Sequence, residues 1–147
     1  LQLVQMIRRE RAPLPVSGDP VTALASGDVD DMLALVELTH PGPFRRRTVE
    51  LGKFVGIRRG GQLLAMAGER MWIGDYREVS AVCTHPDAQG KGLARTLMAH
   101  VINRMLAAGQ TPFLHVLSTN ERAIATYEGL GFARRTESAL TRAQRIA

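Results

Sequence analysis

Residues 85–98 read HPDAQGKGLARTLM, and this stretch decides how the rest of the chain is interpreted. A proline turn is followed by Gly90, Lys91 and Gly92, and then by an apolar run at helical spacing. The first amides of a helix have no partner within the helix, and the helix dipole makes that end positive. Glycines just before a helix let an anion approach those amides. The stretch therefore predicts a phosphate-binding loop, unless the glycines only form a sharp turn.

Two familiar phosphate loops do not match this stretch. A Walker A loop needs a serine or threonine after its lysine, whereas Lys91 is followed by glycine. A dinucleotide fingerprint needs a third glycine, and here the two glycines are followed by Leu93 and Ala94. The loop does match the pattern QxxGxA, through Gln89, Gly92 and Ala94.

Composition indicates one globular domain. The chain has 147 residues, of which 45% are hydrophobic and 22% charged. Its one cysteine, Cys83, cannot form an intrachain disulfide, and no apolar run approaches the roughly 20 residues of a membrane span. We therefore expect a cytoplasmic protein that does not bind membranes. Because Leu1 is not an initiator methionine, the sequence is compatible with a missing upstream segment.

The net charge of +5 is a weak indication of nucleic-acid binding. The arginines are scattered, and few aromatic residues lie near a basic cluster. The charge would serve a polyphosphate ligand equally well. We therefore expect no nucleic-acid partner.

Apolar spacing predicts an alternation of strands and helices. A helix is expected after Asp28, a second from Leu93 to the region of Gly109, and a third after Asn120 that ends at the GLGF sequence. Strands are expected at residues 1–7, on both sides of a Gly60-Gly61 turn within residues 54–72, and at 77–84, 112–117 and 132–141. This order predicts an α/β (α+β) fold with a mixed sheet and helices on both faces.

Two motifs together resemble the GNAT N-acetyltransferases. The QxxGxA pattern after a strand and at the head of a helix is similar to their acyl-coenzyme A loop. Residues 120–132, NERAIATYEGLGF, look like their second motif, N…A…Y…GF. The resemblance covers at least residues 54–135, and the strings PGPF, GERM, EVSAVCTHPD and PFLHV are similar to the FR47-like subgroup. It implies the GNAT fold, a mixed and mostly antiparallel sheet, as a single domain over residues 1–147.

The resemblance also implies a binding site for acetyl-CoA and no metal site. In the family, the strand before the loop splays from the strand after the helix, and the pantetheine arm pairs with the strand edge in that gap. The pyrophosphate then rests on amides at the head of the helix. Nothing marks Cys83 as a covalent nucleophile. The coenzyme-binding residues implied are Val82, Cys83, Thr84, Gln89, Gly90, Lys91, Gly92, Leu93, Ala94, Arg95 and Asn120.

Acetyl transfer to an amine needs a base for the amine proton and an acid for the leaving thiolate. In the family, the tyrosine that matches Tyr127 points its hydroxyl group at the sulfur and acts as the general acid. The alternative is that Tyr127 is an aromatic residue of the core at helical spacing.

The base is open between three side chains. His115 lies in mid-strand, where some relatives carry a glutamate base, and a histidine can accept a proton near neutral pH. A buried structural histidine is the alternative. Glu78 and Glu69 are rivals, and we expect Glu78 to share a strand face with Ser80 and Val82 and so to face the same cleft.

Three functions are consistent with these residues. The first is an acetyl-CoA-dependent N-acetyltransferase that moves the acetyl group directly to a small-molecule or peptide amine. The second is a GNAT module that binds acyl-CoA without turnover. The presence of Tyr127 argues against this second function. The third, a nucleic-acid-binding module, rests on charge alone. The sequence does not identify the acceptor, and a homodimer stays open.

Overall fold

The computed structural model describes residues 2–139, and its strands form one mixed sheet. The strand order is β2-β3-β4-β5-β6-β1-β7. Neighbouring strands run antiparallel except β5 and β6, which are parallel. The strands are β1 (Gln2–Ile7), β2 (Thr22–Leu24), β3 (Phe54–Arg59), β4 (Gln62–Ile73), β5 (Tyr76–Thr84), β6 (Thr111–Leu117) and β7 (Ala133–Ala139). The helices are α1 (Val29–Thr39), α2 (Leu93–Ala107) and α3 (Glu121–Gly129).

Helices cover both faces of the sheet, which confirms the expected fold class. On one face, Met32 and Leu35 of α1 pack in a cluster with Met66 of β4. On the other, the apolar side of α2 packs on strand residues that include Val4 of β1. The buried residues of α2 are Leu93, Leu97, Met98, Ala99, Val101, Ile102 and Met105.

Turn residues end the elements largely where the sequence predicts. Gly60 and Gly61 join β3 to β4 in left-handed conformations, with φ of 57° and 81°. Gly109, with φ of 75°, follows the end of α2. The short strand β2 was not predicted, because its three residues lie in a proline-containing segment without alternation. Residues 140 and 141 of the last predicted strand lie outside the described residues.

Strand β1 lies inside the sheet, between β6 and β7. Gln5 is paired with His115 of β6 on one side and with Thr136 of β7 on the other. The side chains of Val4 and Met6 are completely buried against the α2 side of the sheet. The side chains of a strand alternate between faces, so Gln5 and Ile7 lie on the opposite face.

An irregularity in β5 corrects one prediction about its faces. The register between β4 and β5 shifts between the pairs Met66↔Cys83 and Gly68↔Ser80, and Ala81 has a φ of 56°. The extra residue forms a β-bulge, which breaks the alternation of side chains. Val82 consequently packs with the α2-side cluster. The expectation that Val82 shares a face with Glu78 is therefore wrong.

Candidate active site

The parallel strands β5 and β6 separate after three paired positions. Their register pairs are Tyr76↔Thr111, Arg77↔Pro112 and Glu78↔Phe113. Strand β5 continues to Thr84 and stays paired with β4 along its other edge. The edge of β5 that faces β6 is therefore open beyond Glu78, in a wedge that we call the strand gap. Val82, Cys83 and Thr84 lie at the wide part of this gap.

The glycine loop, residues 89–92, connects β5 to α2 in the conformation that an anion site requires. Gly90 and Gly92 have φ of 80° and 76°, a region that other residues rarely adopt. A side-chain carbon built on Gly92 meets no other atom within 4 Å. Gly92 is the N-cap of the 15-residue helix α2, so the first amides of that helix face open space. The loop therefore leaves a cradle that a diphosphate group fits.

Three cationic side chains belong to this region. Lys91 is exposed within the loop itself. Arg95 donates a hydrogen bond of 3.2 Å to the carbonyl oxygen of Gly129, which ties the start of α2 to the end of α3. A guanidinium nitrogen of Arg122 lies 4.0 Å from the position that a side-chain carbon on Gly90 would take. Sequence reasoning missed Arg122, whose only signal is its place in the first turn of the helix that follows Asn120.

Tyr127 lies on α3 with its ring packed against the α2-side core. The ring makes an edge contact with Phe132 at 6.3 Å between centroids. Burial, with a smaller contribution from the nearby Cys83, raises the pKa of Tyr127 to about 12. Among the described residues, none hydrogen-bonds its phenol group. Tyr127 is thus a phenol that keeps its proton near neutral pH.

Asn120 holds the start of the helix that carries Tyr127. Its side-chain oxygen accepts a hydrogen bond of 3.3 Å from the amide of Ala123. The predicted N-cap is confirmed. The cap accounts for Asn120 structurally, and its contact with a coenzyme stays a prediction.

Cys83 is a buried thiol. Burial raises the pKa of Cys83 to about 11, against a smaller opposing effect of the Thr39 side chain. The thiolate is the nucleophilic form of cysteine. A thiol that keeps its proton near neutral pH is unsuited to covalent catalysis.

His115 and Glu78 meet at the point where the strand gap opens. His115 Nδ1 lies 3.0 Å from Glu78 Oε2. The other side of the carboxylate is held by Arg70, which donates from Nε at 2.8 Å and from Nη2 at 2.9 Å. Burial favours a higher pKa for Glu78, which is 1% exposed, but the hydrogen bonds from His115 and Arg70 outweigh it and the pKa is lowered. Glu78 is therefore a charged acceptor, which fixes a proton on His115 Nδ1.

A chain of contacts continues from His115 to β7. Because Nδ1 carries the proton, His115 Nε2 accepts a hydrogen bond from Gln5 Nε2 at 3.3 Å. Gln5 Oε1 in turn accepts from Arg135 Nη1 at 2.7 Å. The Gln5 carboxamide thus stands between the imidazole and an arginine.

Glu69 lies on the other face of the sheet from His115. Its carboxylate accepts from Arg77 Nε at 3.1 Å and from Arg104 Nε of α2 at 3.1 Å. The structure therefore brings Glu78 to His115 but does not bring Glu69 there.

Comparison with solved structures gives the class of protein to which this fold belongs. A GNAT-family protein from Novosphingobium aromaticivorans superimposes with a TM-score of 0.85 and 45% identity, over 92% of this chain and 61% of that protein. A curated relative, N-alpha-acetyltransferase RimI from Mycobacterium tuberculosis, is 34% identical over 85 residues, which are 55% of this chain and 52% of the relative. The [ribosomal protein bS18]-alanine N-acetyltransferase of Escherichia coli K12 is 26% identical over 76% of this chain and 79% of its own length.

The fold and its strand gap place the chain in the GNAT class. Within that class, the chain belongs to the FR47-like family, whose family model matches residues 54–141, more than half of the chain. The chain spans 52% of the Mycobacterium relative and 61% of the Novosphingobium protein.

No helix between residues 2 and 139 is long and apolar enough to cross a membrane. In the same part of the chain, no three His, Cys, Asp or Glu side chains are grouped to hold a metal ion.

Proposed function

We propose that this chain is an N-acetyltransferase that moves an acetyl group directly from acetyl-CoA to an amine. One observation carries the proposal: an open strand edge, a glycine cradle and a protonated phenol lie around the same strand gap. Acetyl-CoA supplies an activated thioester. The chain must hold that thioester, remove a proton from the amine and protonate the leaving thiolate.

Binding of the coenzyme is proposed along β5 and the glycine loop. The backbone of Val82, Cys83 and Thr84 would pair with the pantetheine amides as an added strand does. The amides at the start of α2 would hold the pyrophosphate, and the Arg122 guanidinium above Gly90 adds a charge-assisted contact. Asn120 is proposed as a further contact. The residues proposed for the cradle are Gln89, Gly90, Lys91, Gly92, Leu93, Ala94 and Arg95.

Tyr127 is proposed as the general acid. Its pKa of about 12 keeps the phenol protonated across the range in which amines are acetylated. A proton held beside the gap can neutralise a thiolate that leaves in a partly dry site. The phenol then recovers its proton from solvent, since phenolate is strongly disfavoured by burial.

His115 is proposed as the base, with Glu78 as the residue that positions it. The neutral imidazole keeps its Nδ1 proton on Glu78, so the Nε2 lone pair, which accepts from Gln5 in this structure, would take the amine proton once the amine replaces the Gln5 nitrogen. The carboxylate would stabilise the imidazolium that forms, as a buried anion next to a new cation. Glu78 itself is a poor base, because two arginine hydrogen bonds stabilise its charged form. Glu69 lies on the other face of the sheet, where its carboxylate is paired with Arg77 and Arg104.

The acceptor is proposed to be an amine, in line with the relatives. The names of two of them specify an N-alpha amine and the alanine of ribosomal protein bS18. Position 115 is a histidine where some relatives carry a glutamate base. This difference concerns the proposed base and not the proposed coenzyme site.

Calorimetry with acetyl-CoA, followed by measurement of thiol release across an amine panel, tests the proposal. We expect one acetyl-CoA per chain and release of coenzyme A that depends on the added amine. Binding without release for any amine would favour a module that only holds acyl-CoA. Absence of binding to the folded chain would reject the proposal altogether.

A further inference from the structure

A pocket lies on the sheet face opposite α2, next to His115. It has a volume of about 210 Å³ and is lined by Gln5, Ile7, Ile73, Tyr76, Phe113 and Arg135. We call it the Phe113 pocket, because Phe113 connects it to the proposed base. The Phe113 ring makes edge contacts with Tyr76 at 6.3 Å and with His115 at 5.8 Å between ring centroids.

At the polar end of this pocket, one small polar group bridges Arg135 and His115. One carboxamide, that of Gln5, spans the distance between the two groups: its oxygen accepts from Arg135 and its nitrogen donates to His115. An α-amino acid also carries an oxygen acceptor and a nitrogen donor separated by a few bonds. Its carboxylate can replace the Gln5 oxygen on Arg135 while its amine replaces the Gln5 nitrogen on His115.

The remaining walls are apolar. Ile7 and Phe113 are 4% and 3% exposed and form the floor, whereas Ile73 and Tyr76, each 39% exposed, form the rim. The volume of about 210 Å³ is below the roughly 300–1,000 Å³ of pockets for drug-sized ligands. The pocket therefore suits one aliphatic or aromatic side chain.

We propose that the acceptor is a free α-amino acid with an apolar side chain, a proposal that rests on the proposed function. Arg135 would bind its carboxylate, the Phe113 pocket its side chain, and His115 its amine. Arg135 is exposed, and among the side chains of residues 2–135 it pairs with no carboxylate, so an acceptor carboxylate can replace the Gln5 oxygen on it. A peptide acceptor would place a neutral carbonyl at the same position and would not use that charge.

The reaction balances without a further reagent. The amine nitrogen forms a bond to the acetyl carbon, and the bond between that carbon and the coenzyme sulfur breaks. His115 Nε2 takes one proton from the amine, and Tyr127 gives one to the sulfur. The products are an N-acetyl amino acid and coenzyme A.

The test compares acceptors that differ in one group at saturating acetyl-CoA. L-leucine, L-leucinamide and glycine separate the carboxylate from the side chain. We expect kcat/KM for leucine to exceed that for leucinamide by at least about tenfold, as loss of a charge-assisted contact predicts. Leucinamide has the less basic amine, so more of it is neutral and the bias runs against this result. Glycine should also be poorer than leucine, because it leaves the pocket empty.

Variants test whether Arg135 causes the preference for leucine over leucinamide. Arg135→Gln should lower kcat/KM for leucine and leave that for leucinamide unchanged. Arg134→Gln is the matched control, since Arg134 is paired with Met6, whose side chain lies on the α2 side of the sheet, and it should change neither. Equal rates with leucine and leucinamide in the parent, or an equal loss for both in Arg135→Gln, would overturn the proposal.

A binding measurement separates this proposal from the proposed function. Calorimetry with L-leucine in the absence of acetyl-CoA is expected to show binding to the parent and not to Arg135→Gln. That result supports the pocket even if no turnover is found. Turnover with other amines but neither binding nor acetylation of leucine would reject the amino-acid acceptor and leave the acetyltransferase proposal intact.

Discussion

His115 Nδ1 lies 3.0 Å from Glu78 Oε2, and the two residues stand on the only parallel pair of strands in the described sheet. Glu78 is the last residue of β5 that is paired with β6, and its partner there is Phe113. His115 follows Phe113 by two residues. The contact therefore spans the point where the gap begins. A base at this point can reach an amine that approaches a thioester held in the gap.

Replacement of His115 by alanine should lower kcat/KM and remove the acidic limb of the pH profile. The base must be neutral to accept a proton, so the limb disappears with it. Affinity for acetyl-CoA, measured by calorimetry, should not change. His100→Ala on α2 provides the control. A parent-like profile in His115→Ala would return the base to Glu78 or water.

Replacement of Tyr127 by phenylalanine should lower kcat by about 10²–10⁴-fold, the usual contribution of general acid catalysis. The ring contact with Phe132 is retained, so the fold and coenzyme affinity should be close to those of the parent. Because the pKa of Tyr127 is about 12, the alkaline limb of the parent profile below that pH should not come from this residue. Rates at saturating acetyl-CoA decide the matter. A variant as fast as the parent would show that Tyr127 only packs in the core and is not the general acid.

Replacement of Gly92 by valine should strongly weaken binding of acetyl-CoA. The side chain would fill the cradle, and the φ of 76° adds strain of about 1–2 kcal/mol. Gly109→Val is the matched control, since Gly109 has a φ of 75° and equally open surroundings beyond the opposite end of α2. Calorimetry should show reduced affinity for the first variant only. Equal affinity in both folded variants would remove the loop from the site.

Replacement of Arg122 by glutamine should weaken acetyl-CoA binding by about tenfold and reduce its dependence on salt. The guanidinium above Gly90 is expected to contact a phosphate group, and such contacts are screened by ions. Arg11, which is exposed and donates to the carbonyl oxygen of Gln110 beyond the opposite end of α2, supplies the control as Arg11→Gln. Titrations at two salt concentrations measure the effect. An unaltered salt dependence in Arg122→Gln would place this residue outside the coenzyme site.

Replacement of Glu78 by glutamine should lower the free energy of unfolding at pH 7 by about 2 kcal/mol. The folded state holds the pKa of Glu78 below its unfolded value, so its contribution is complete above the unfolded pKa. That contribution is lost as the pH falls below about 4.3, the ordinary value for glutamate, toward the lower folded pKa. Urea unfolding measured between pH 7 and 3 should show that the free energy of unfolding depends less on pH in the variant than in the parent. Glu50→Gln, at an exposed surface pair, should change little.

The sequence was sufficient to predict the elements whose signals are local. The apolar spacing of α2, the Gly60-Gly61 turn and the Asn120 cap each depend on a few neighbouring residues, and all are present. The QxxGxA pattern likewise located the glycine loop. These features follow from backbone preference and amphipathic burial, which a short window of sequence contains.

Other features depend on register between distant segments. The contact of Gln5 with His115 joins residues 110 positions apart, and no local pattern indicates it. The bulge at Ala81 puts a residue other than glycine at positive φ, which propensity does not predict. The same limit applies to Arg70, whose bond to Glu78 requires the pairing of β4 with β5. Consequently the fold was predictable, whereas the environment of each candidate base was not.

The place of β1 in the sheet has a consequence for synthesis of the chain. This strand is synthesised well before its partners β6 and β7, which begin only at Thr111 and Ala133. Until they emerge, both edges of β1 and the apolar side chains of Val4 and Met6 have no cover, a condition that favours aggregation. A chain lacking residues 2–7 should leave the same slot vacant. We expect a synthetic peptide of that sequence, added in trans, to insert there as a strand and restore the fold.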